Sequence, residues 1–106
     1  MPNEWTHYDK KSLRLVDGPR PDFQELALDC VAFATAHGGV IDLGIEDGED
    51  APPASQRVRP ELPGKVQRRI GELTVNVDVR AEIITAPNGG QYIALHIPRS
   101  GSLPLT

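Results

Sequence analysis

The most regular hydrophobic pattern in the chain predicts a helix over residues 22–37. Its apolar residues recur at the three- and four-residue spacing of one helix face: Phe23, Leu26, Ala27, Cys30, Val31 and Ala34. Asp22 can accept hydrogen bonds from the free amides of the first turn, and Gly38 suits the left-handed conformation that ends many helices. A second helix is predicted over residues 62–73, where Pro63 is compatible with the first turn.

Runs of alternating or continuous apolar positions predict four strands, over residues 11–16, 40–45, 75–83 and 91–97. The last two are separated by Asn88-Gly89-Gly90, which is typical of a hairpin turn. The expected order is therefore β-α-β-α-β-β. This order predicts an α+β fold in which helices pack against one face of a mixed, largely antiparallel sheet.

Composition places the chain among soluble globular proteins of one domain. It has 106 residues, 39% of them hydrophobic and 25% charged. No apolar run approaches the ~18 residues of a membrane span, and the N-terminus lacks the pattern of a signal peptide. The single cysteine, Cys30, cannot form an internal disulfide, so we expect a cytoplasmic protein. The final residues, SGSLPLT, contain no terminating element, which suggests a domain of a longer protein.

Charge is distributed unevenly along the chain. The formal net charge is −4, and residues 22–50 contain eight acidic residues and no lysine or arginine. Residues 53–74 instead carry a local excess of positive charge, from Arg57, Arg59, Lys65, Arg68 and Arg69. On a helix, Lys65 and Arg69 would share one face. The pattern is typical either of a basic patch on an acidic domain or of an ordinary solvated helix face.

Four segments resemble a known family, and they follow one another along the chain in the order that this family has. They are DKKSL (9–13), AFATAHGG (32–39), VIDLGIEDG (40–48) and IALHIPRS (93–100). Together with Pro52-Pro53 and Gln56, they resemble the Schlafen-type Alba-like domain over most of residues 4–100. The resemblance implies a nucleic-acid-binding module, with DNA as the first expectation and RNA as the alternative.

In bacteria, domains of the family that this chain resembles stand at the N-terminus of ATP-binding transcriptional regulators or of proteins related to ATP-dependent DNA helicases. Residues 1–106 contain no G-x-x-x-x-G-K-[ST] phosphate-binding loop. An ATP-binding function would therefore belong to sequence outside these residues.

Eight basic residues are the candidates for phosphate contact: Lys10, Lys11, Arg14, Arg57, Arg59, Lys65, Arg68 and Arg69. Binding of this kind requires no cofactor and weakens as salt rises. The alternative for the first three is an edge strand protected by charge against pairing with other chains.

Two other functions remain open. Animal Schlafen relatives use the same domain as a metal-dependent endoribonuclease, and the resemblance places the matching carboxylates at Glu4, Asp9 and Asp47. Such oxygen ligands suit Mg²⁺ or Mn²⁺. The third hypothesis is a protein-interaction module without a role in nucleic-acid binding, whose strand edge pairs with a partner or with a second copy of the chain.

Overall fold

The computed structural model describes residues 7–99, and it confirms an α+β fold with a mixed sheet. Its elements are β1 (His7–Lys11), α1 (Phe23–Thr35), β2 (Gly39–Leu43), α2 (Leu62–Leu73), β3 (Arg80–Thr85) and β4 (Gln91–Ile97). Glu4 lies outside the described residues. No helix within residues 7–99 is long and apolar enough to cross a membrane.

The four strands form one sheet in the order β1-β2-β4-β3. β1 is parallel to β2, whereas β4 is antiparallel to both β2 and β3. Tyr8 is opposite Val40 and Lys10 is opposite Asp42 in the register of the first pair. β1 and β2 therefore form a β-α-β unit with α1 as the crossover, and the hairpin strand β4 is inserted beside β2.

Both helices pack on one face of this sheet. The core joins buried residues of α1 and α2 to alternate residues of the two central strands: Leu26, Cys30, Val66, Ile70, Ile41, Leu43, Ile93, Leu95 and Ile97. Because successive strand residues point to opposite faces, Asp42, Tyr92 and His96 lie on the other face. Within residues 7–99 no helix covers that face.

The predicted strand over residues 11–16 is wrong, because the strand precedes it. β1 ends at Lys11, and Leu13–Leu15 form a single 3-10 turn in which the Ser12 hydroxyl accepts a hydrogen bond from the Arg14 amide (3.2 Å). Leu13 and Val16 are buried, three residues apart, which is the period of a 3-10 turn rather than of a strand.

The strand predicted over residues 75–83 is displaced toward the C-terminus, to Arg80–Thr85. Arg80 pairs with His96, so an extension of β3 past Val79 toward Val75 would need partners beyond Ile97. Pro98 follows Ile97 and has no amide hydrogen to donate to a sheet. Val75 consequently stays outside the sheet with 83% of its surface exposed.

The ends of α1 follow the sequence signals. The Asp22 carboxylate accepts a hydrogen bond from the Glu25 amide (3.0 Å), as an N-cap residue should. Gly38 has φ +78°, and its amide donates to the Phe33 carbonyl (2.7 Å). A Cβ at Gly38 would lie 2.6 Å from the Ile97 carbonyl oxygen, so the turn also brings α1 against the end of β4.

A long loop between β2 and α2 is attached to the hairpin turn. The Gln56 amide group donates to the carbonyls of Gly44 (2.9 Å) and Gln91 (2.8 Å), and the Asn88 amide donates to the Pro52 carbonyl (2.8 Å). Pro52 and Gln56, which contribute to the family resemblance, therefore hold this loop in place.

Candidate nucleic-acid interface

The second helix presents three of the eight candidate basic residues on its surface. α2 buries Leu62, Val66 and Ile70 in the core, and their four-residue spacing places them on one face of the helix. Lys65, Arg68 and Arg69 lie on the part of the helix outside that stripe, and we call them the α2 basic surface. The amphipathic pattern of α2 thus determines that these three side chains lie on the outside of the domain.

The Phe23 ring, at the start of α1, supports two of these cations. The Lys65 Nζ atom lies 5.8 Å from the ring centroid, and the Arg69 Cζ atom lies 5.5 Å from it. Both distances are within the range of a cation–π interaction. Phe23 is itself buried on the core side, so it forms a fixed base beneath both charges.

Lys65, Arg69 and Phe23 line a cleft between α2 and the N-terminus of α1. It has a volume of about 420 Å³, and Asp22 and Leu73 also line it. The Asp22 carboxylate accepts a hydrogen bond from the Glu25 amide, so part of its negative charge interacts with the N-terminus of α1. The positive end of the helix dipole and two cations therefore meet at one concave surface.

The two arginines of the α2 basic surface have few acidic partners in the described part of the chain. Arg69 forms an ion pair with Glu72 at 2.7 Å, one turn further along the helix. Arg68 is exposed and has no carboxylate within 4.0 Å in residues 7–99. Because a guanidinium has five N–H donors, Arg69 keeps donors for a phosphate even with Glu72 in place.

The basic residues near β1 have a different environment. We call Lys10, Lys11 and Arg14 the β1 basic group. The Lys11 ammonium lies 3.0 Å from Asp29, 3.5 Å from Asp9 and 3.6 Å from Glu25. The close ion pair with Asp29, together with the charges of Asp9 and Glu25, outweighs burial and raises the pKa of Lys11. This lysine is a structural counter-ion for acids of β1 and α1.

The other two members of the group are also near acids. Lys10 donates a hydrogen bond to the Glu49 carbonyl and lies 3.8 Å from the Asp50 carboxylate. Arg14 lies 4.0 Å from Glu46. The acidic loop after β2 therefore reduces the positive potential at this end of the sheet.

Arg57 and Arg59 are used within the fold. The Arg57 guanidinium donates to the carbonyls of Ala54, Gln56 and Gly89, which ties the long loop to the hairpin turn. Arg59 forms ion pairs with Asp17 and Glu61. Neither residue adds to the α2 basic surface as an unpaired charge.

Two of the three carboxylates of the nuclease hypothesis can be located. Asp9 accepts a hydrogen bond from the Lys10 amide (2.8 Å) and lies beside Lys11, whereas Asp47 is exposed in the loop after β2. Glu4 lies outside residues 7–99. Within that part of the chain, no three histidine, cysteine, aspartate or glutamate residues are placed to hold a metal ion together.

The sheet face opposite the helices contains an acidic residue, Asp42, that was not among the candidates from the sequence. Asp42 is only 8% exposed, and it accepts a hydrogen bond from the Tyr8 hydroxyl at 2.5 Å. Burial raises the pKa of Asp42. Burial, followed by this hydrogen bond, raises the pKa of Tyr8. The signal in the sequence was an acidic residue inside the apolar run VIDLGI.

Cys30 has no features of a reactive thiol. It is fully buried in the core, as its place on the helical stripe predicted. Burial raises its pKa to about 12, so the thiolate form is negligible at neutral pH.

Comparison with known proteins assigns no family. A scan of the chain against protein-family models finds no match, and a search of curated proteins finds no significant relative.

Proposed function

We propose that this domain binds nucleic acid, DNA in the first place, through phosphate contacts of the α2 basic surface. The observation that carries the proposal is the placement of Lys65 and Arg69 over the Phe23 ring, at 5.8 and 5.5 Å, beside Arg68, which has no carboxylate within 4.0 Å in residues 7–99. Cations that are already positioned lose less conformational entropy when they bind a phosphate. The preference for DNA, and a place in a bacterial transcriptional regulator or helicase-related protein, follow from the resemblance to the Schlafen-type Alba-like domain, and the cytoplasmic location follows from the single cysteine, Cys30.

Electrostatics defines how such an interface should respond to salt. Three phosphate contacts would release counter-ions and give a slope of about −2.7 when log affinity is plotted against log salt concentration. Affinity should then fall about 20-fold between roughly 50 and 150 mM salt. The whole chain has a net charge of −4, so binding must come from this local surface rather than from overall charge.

The test is a fluorescence-anisotropy titration into labelled duplex DNA and a structured RNA. The variant Arg68→Ala/Arg69→Ala should lose about tenfold or more in affinity at low salt, with a slope reduced by about 1.8. A matched control removes two cations from the β1 basic group, in Lys10→Ala/Arg14→Ala, and should change affinity less than about twofold. Unchanged affinity in the α2 variant, or an equal loss in the control, would refute the proposed surface.

The same titration with Mn²⁺ discriminates binding from hydrolysis. Binding leaves the probe intact, so anisotropy rises and then reaches a plateau. A Mn²⁺-dependent fall of the anisotropy below that of the free probe would instead indicate cleavage. If Asp47→Ala abolished this fall, the result would support the metal-dependent endoribonuclease. Absence of salt-sensitive binding to either nucleic acid would favour the protein-interaction module.

A further inference from the structure

A second cavity lies at the end of the sheet where β2 and β3 begin and β4 ends. It has a volume of about 650 Å³. Gly39, Arg80 and Ile97 line it from the three strands, because β4 runs antiparallel to its neighbours. Gln67 of α2 closes one side, and its side-chain oxygen accepts a hydrogen bond from the Ala81 amide at 2.7 Å.

The cavity lining is rich in groups that donate hydrogen bonds to anions. Arg80 and Arg99 both line it, and neither has a carboxylate within 4.0 Å in residues 7–99. Asp78 is the one acidic residue among the lining residues that are described. The described lining therefore carries two guanidinium charges against one carboxylate, in a chain that is acidic overall.

Two histidines, which are far apart in the sequence, also line this cavity. His37 follows α1 and His96 belongs to β4, and both line the cavity. The His96 ring forms a 2.7 Å contact with the Glu82 carboxylate on the neighbouring strand, which holds it in place. His37 is stacked against the His7 ring, with centroids 6.4 Å apart. The fold thus brings the three histidines of the chain to one end of the sheet.

We propose that this cavity binds a phosphate monoester of nucleotide or sugar-phosphate size. Arginine binds phosphate through two parallel N–H donors, and two arginines suit the double charge of a monoester better than the single charge of a diester. The volume lies within the range of small-molecule sites. Val79, Ile97 and Pro98 provide apolar wall for the organic part of the ligand. This site uses different residues from the α2 basic surface, so it stands independently of the proposed nucleic-acid binding.

Calorimetric titration of the whole chain with AMP and ribose 5-phosphate tests the proposal, at about pH 7.5, where a monoester carries close to two charges. Both ligands should bind if the phosphate dominates, and tighter binding of AMP would identify contacts with the base. Adenosine, without a phosphate, should bind at least about tenfold more weakly than AMP. Absence of binding of both phosphates up to about 5 mM would overturn the proposal.

Substitutions of single arginines show where AMP binds. Arg80→Gln and Arg99→Gln should each weaken AMP binding about tenfold, because each removes a charged donor without removing a buried side chain. Arg68→Gln, the matched control on the α2 basic surface, should leave AMP affinity unchanged. The opposite result, loss in Arg68→Gln with wild-type binding in Arg80→Gln and Arg99→Gln, would overturn the proposal. Amide NMR shifts on addition of AMP should be centred on Gly39, Arg80 and His96, and unfolding of a variant would be evident in the same spectra.

Discussion

The β1 basic group and the α2 basic surface contain three cations each, yet the fold uses them differently. Lys11 has three carboxylates within 3.6 Å, whereas Arg68 has none within 4.0 Å in the described part of the chain. The acids around Lys11 come from β1 and α1, and those near Lys10 and Arg14 come from the loop after β2. The comparison teaches that the number of acids which the tertiary structure brings near a basic residue decides how many of its N–H donors remain for a polyanion.

The largest expected effect comes from reversing charge on the α2 basic surface. Lys65→Glu/Arg68→Glu/Arg69→Glu should weaken nucleic-acid binding by more than about 100-fold at low salt, because three attractive contacts become repulsive. Anisotropy with labelled duplex DNA measures this change, and circular dichroism checks the fold. Retention of affinity within about threefold would show that the two groups do not differ as we describe.

Lys11→Met tests the other side of the comparison, and its effect should be on stability. Removing the ammonium leaves Asp9, Glu25 and Asp29 close together without a counter-ion. We expect the free energy of unfolding to fall by about 1–2 kcal/mol, less than for a fully buried pair because these side chains are partly exposed. Urea denaturation measures the loss. Nucleic-acid affinity should remain within about twofold of wild type.

The matched control is Lys65→Met, which makes the same chemical change on α2. It should alter the free energy of unfolding by less than about 0.5 kcal/mol but weaken nucleic-acid binding severalfold. Equal destabilisation by both substitutions would contradict the distinction between a structural and an available lysine.

The pH dependence of the Lys11 effect has a defined sign. The pKa of Lys11 is raised in the folded protein above its ordinary value of 10.5, so the folded state favours the protonated form. Its stabilisation is fully present below pH 10.5 and is lost as pH rises through the higher folded value. The difference in stability between wild type and Lys11→Met should therefore be constant near neutral pH and decrease only in strong alkali.

Much of the fold follows from local sequence signals. The bounds of α2 agree with the prediction from Leu62 to Leu73, and Asp22 caps α1 as expected. The errors occurred where tertiary constraints decide the outcome. β3 is limited by its register with β4 and by Pro98, which alternation within residues 75–83 does not reveal.

The candidate interface was only partly predictable, for a related reason. The four-residue spacing of Lys65 and Arg69 places them together on any helix, and the structure has them together on α2. Their position over Phe23 depends on packing between two helices about 40 residues apart, which spacing does not encode. The ion pair between Lys11 and Asp29 was equally hidden, because the two residues lie in separate segments of the sequence and only the fold brings them together.

Phe23→Leu should have an intermediate effect on nucleic-acid affinity, and it tests whether the ring positions the cations. Leucine keeps most of the apolar volume, so we expect the free energy of unfolding to fall by about 1 kcal/mol. Loss of the aromatic face removes the cation–π interactions with Lys65 and Arg69, so nucleic-acid affinity should fall about threefold. Chemical denaturation and anisotropy measure the two changes separately. Wild-type affinity in this variant would show that the ring does not position the cations.

The smallest expected effect is that of Arg14→Ala. Arg14 lies 4.0 Å from Glu46 and its side chain is 78% exposed, so this pair contributes little to stability. The acids of the loop after β2 nevertheless lower the positive potential that a polyanion would meet there. We expect changes of less than about 0.5 kcal/mol in unfolding free energy and less than about 1.5-fold in nucleic-acid affinity. The same two assays apply, with Arg68→Ala as the matched arginine on α2. A loss of affinity equal to that in Arg68→Ala would place Arg14 in the interface, because exposure and charge alone would then predict binding and the nearby acids would not matter.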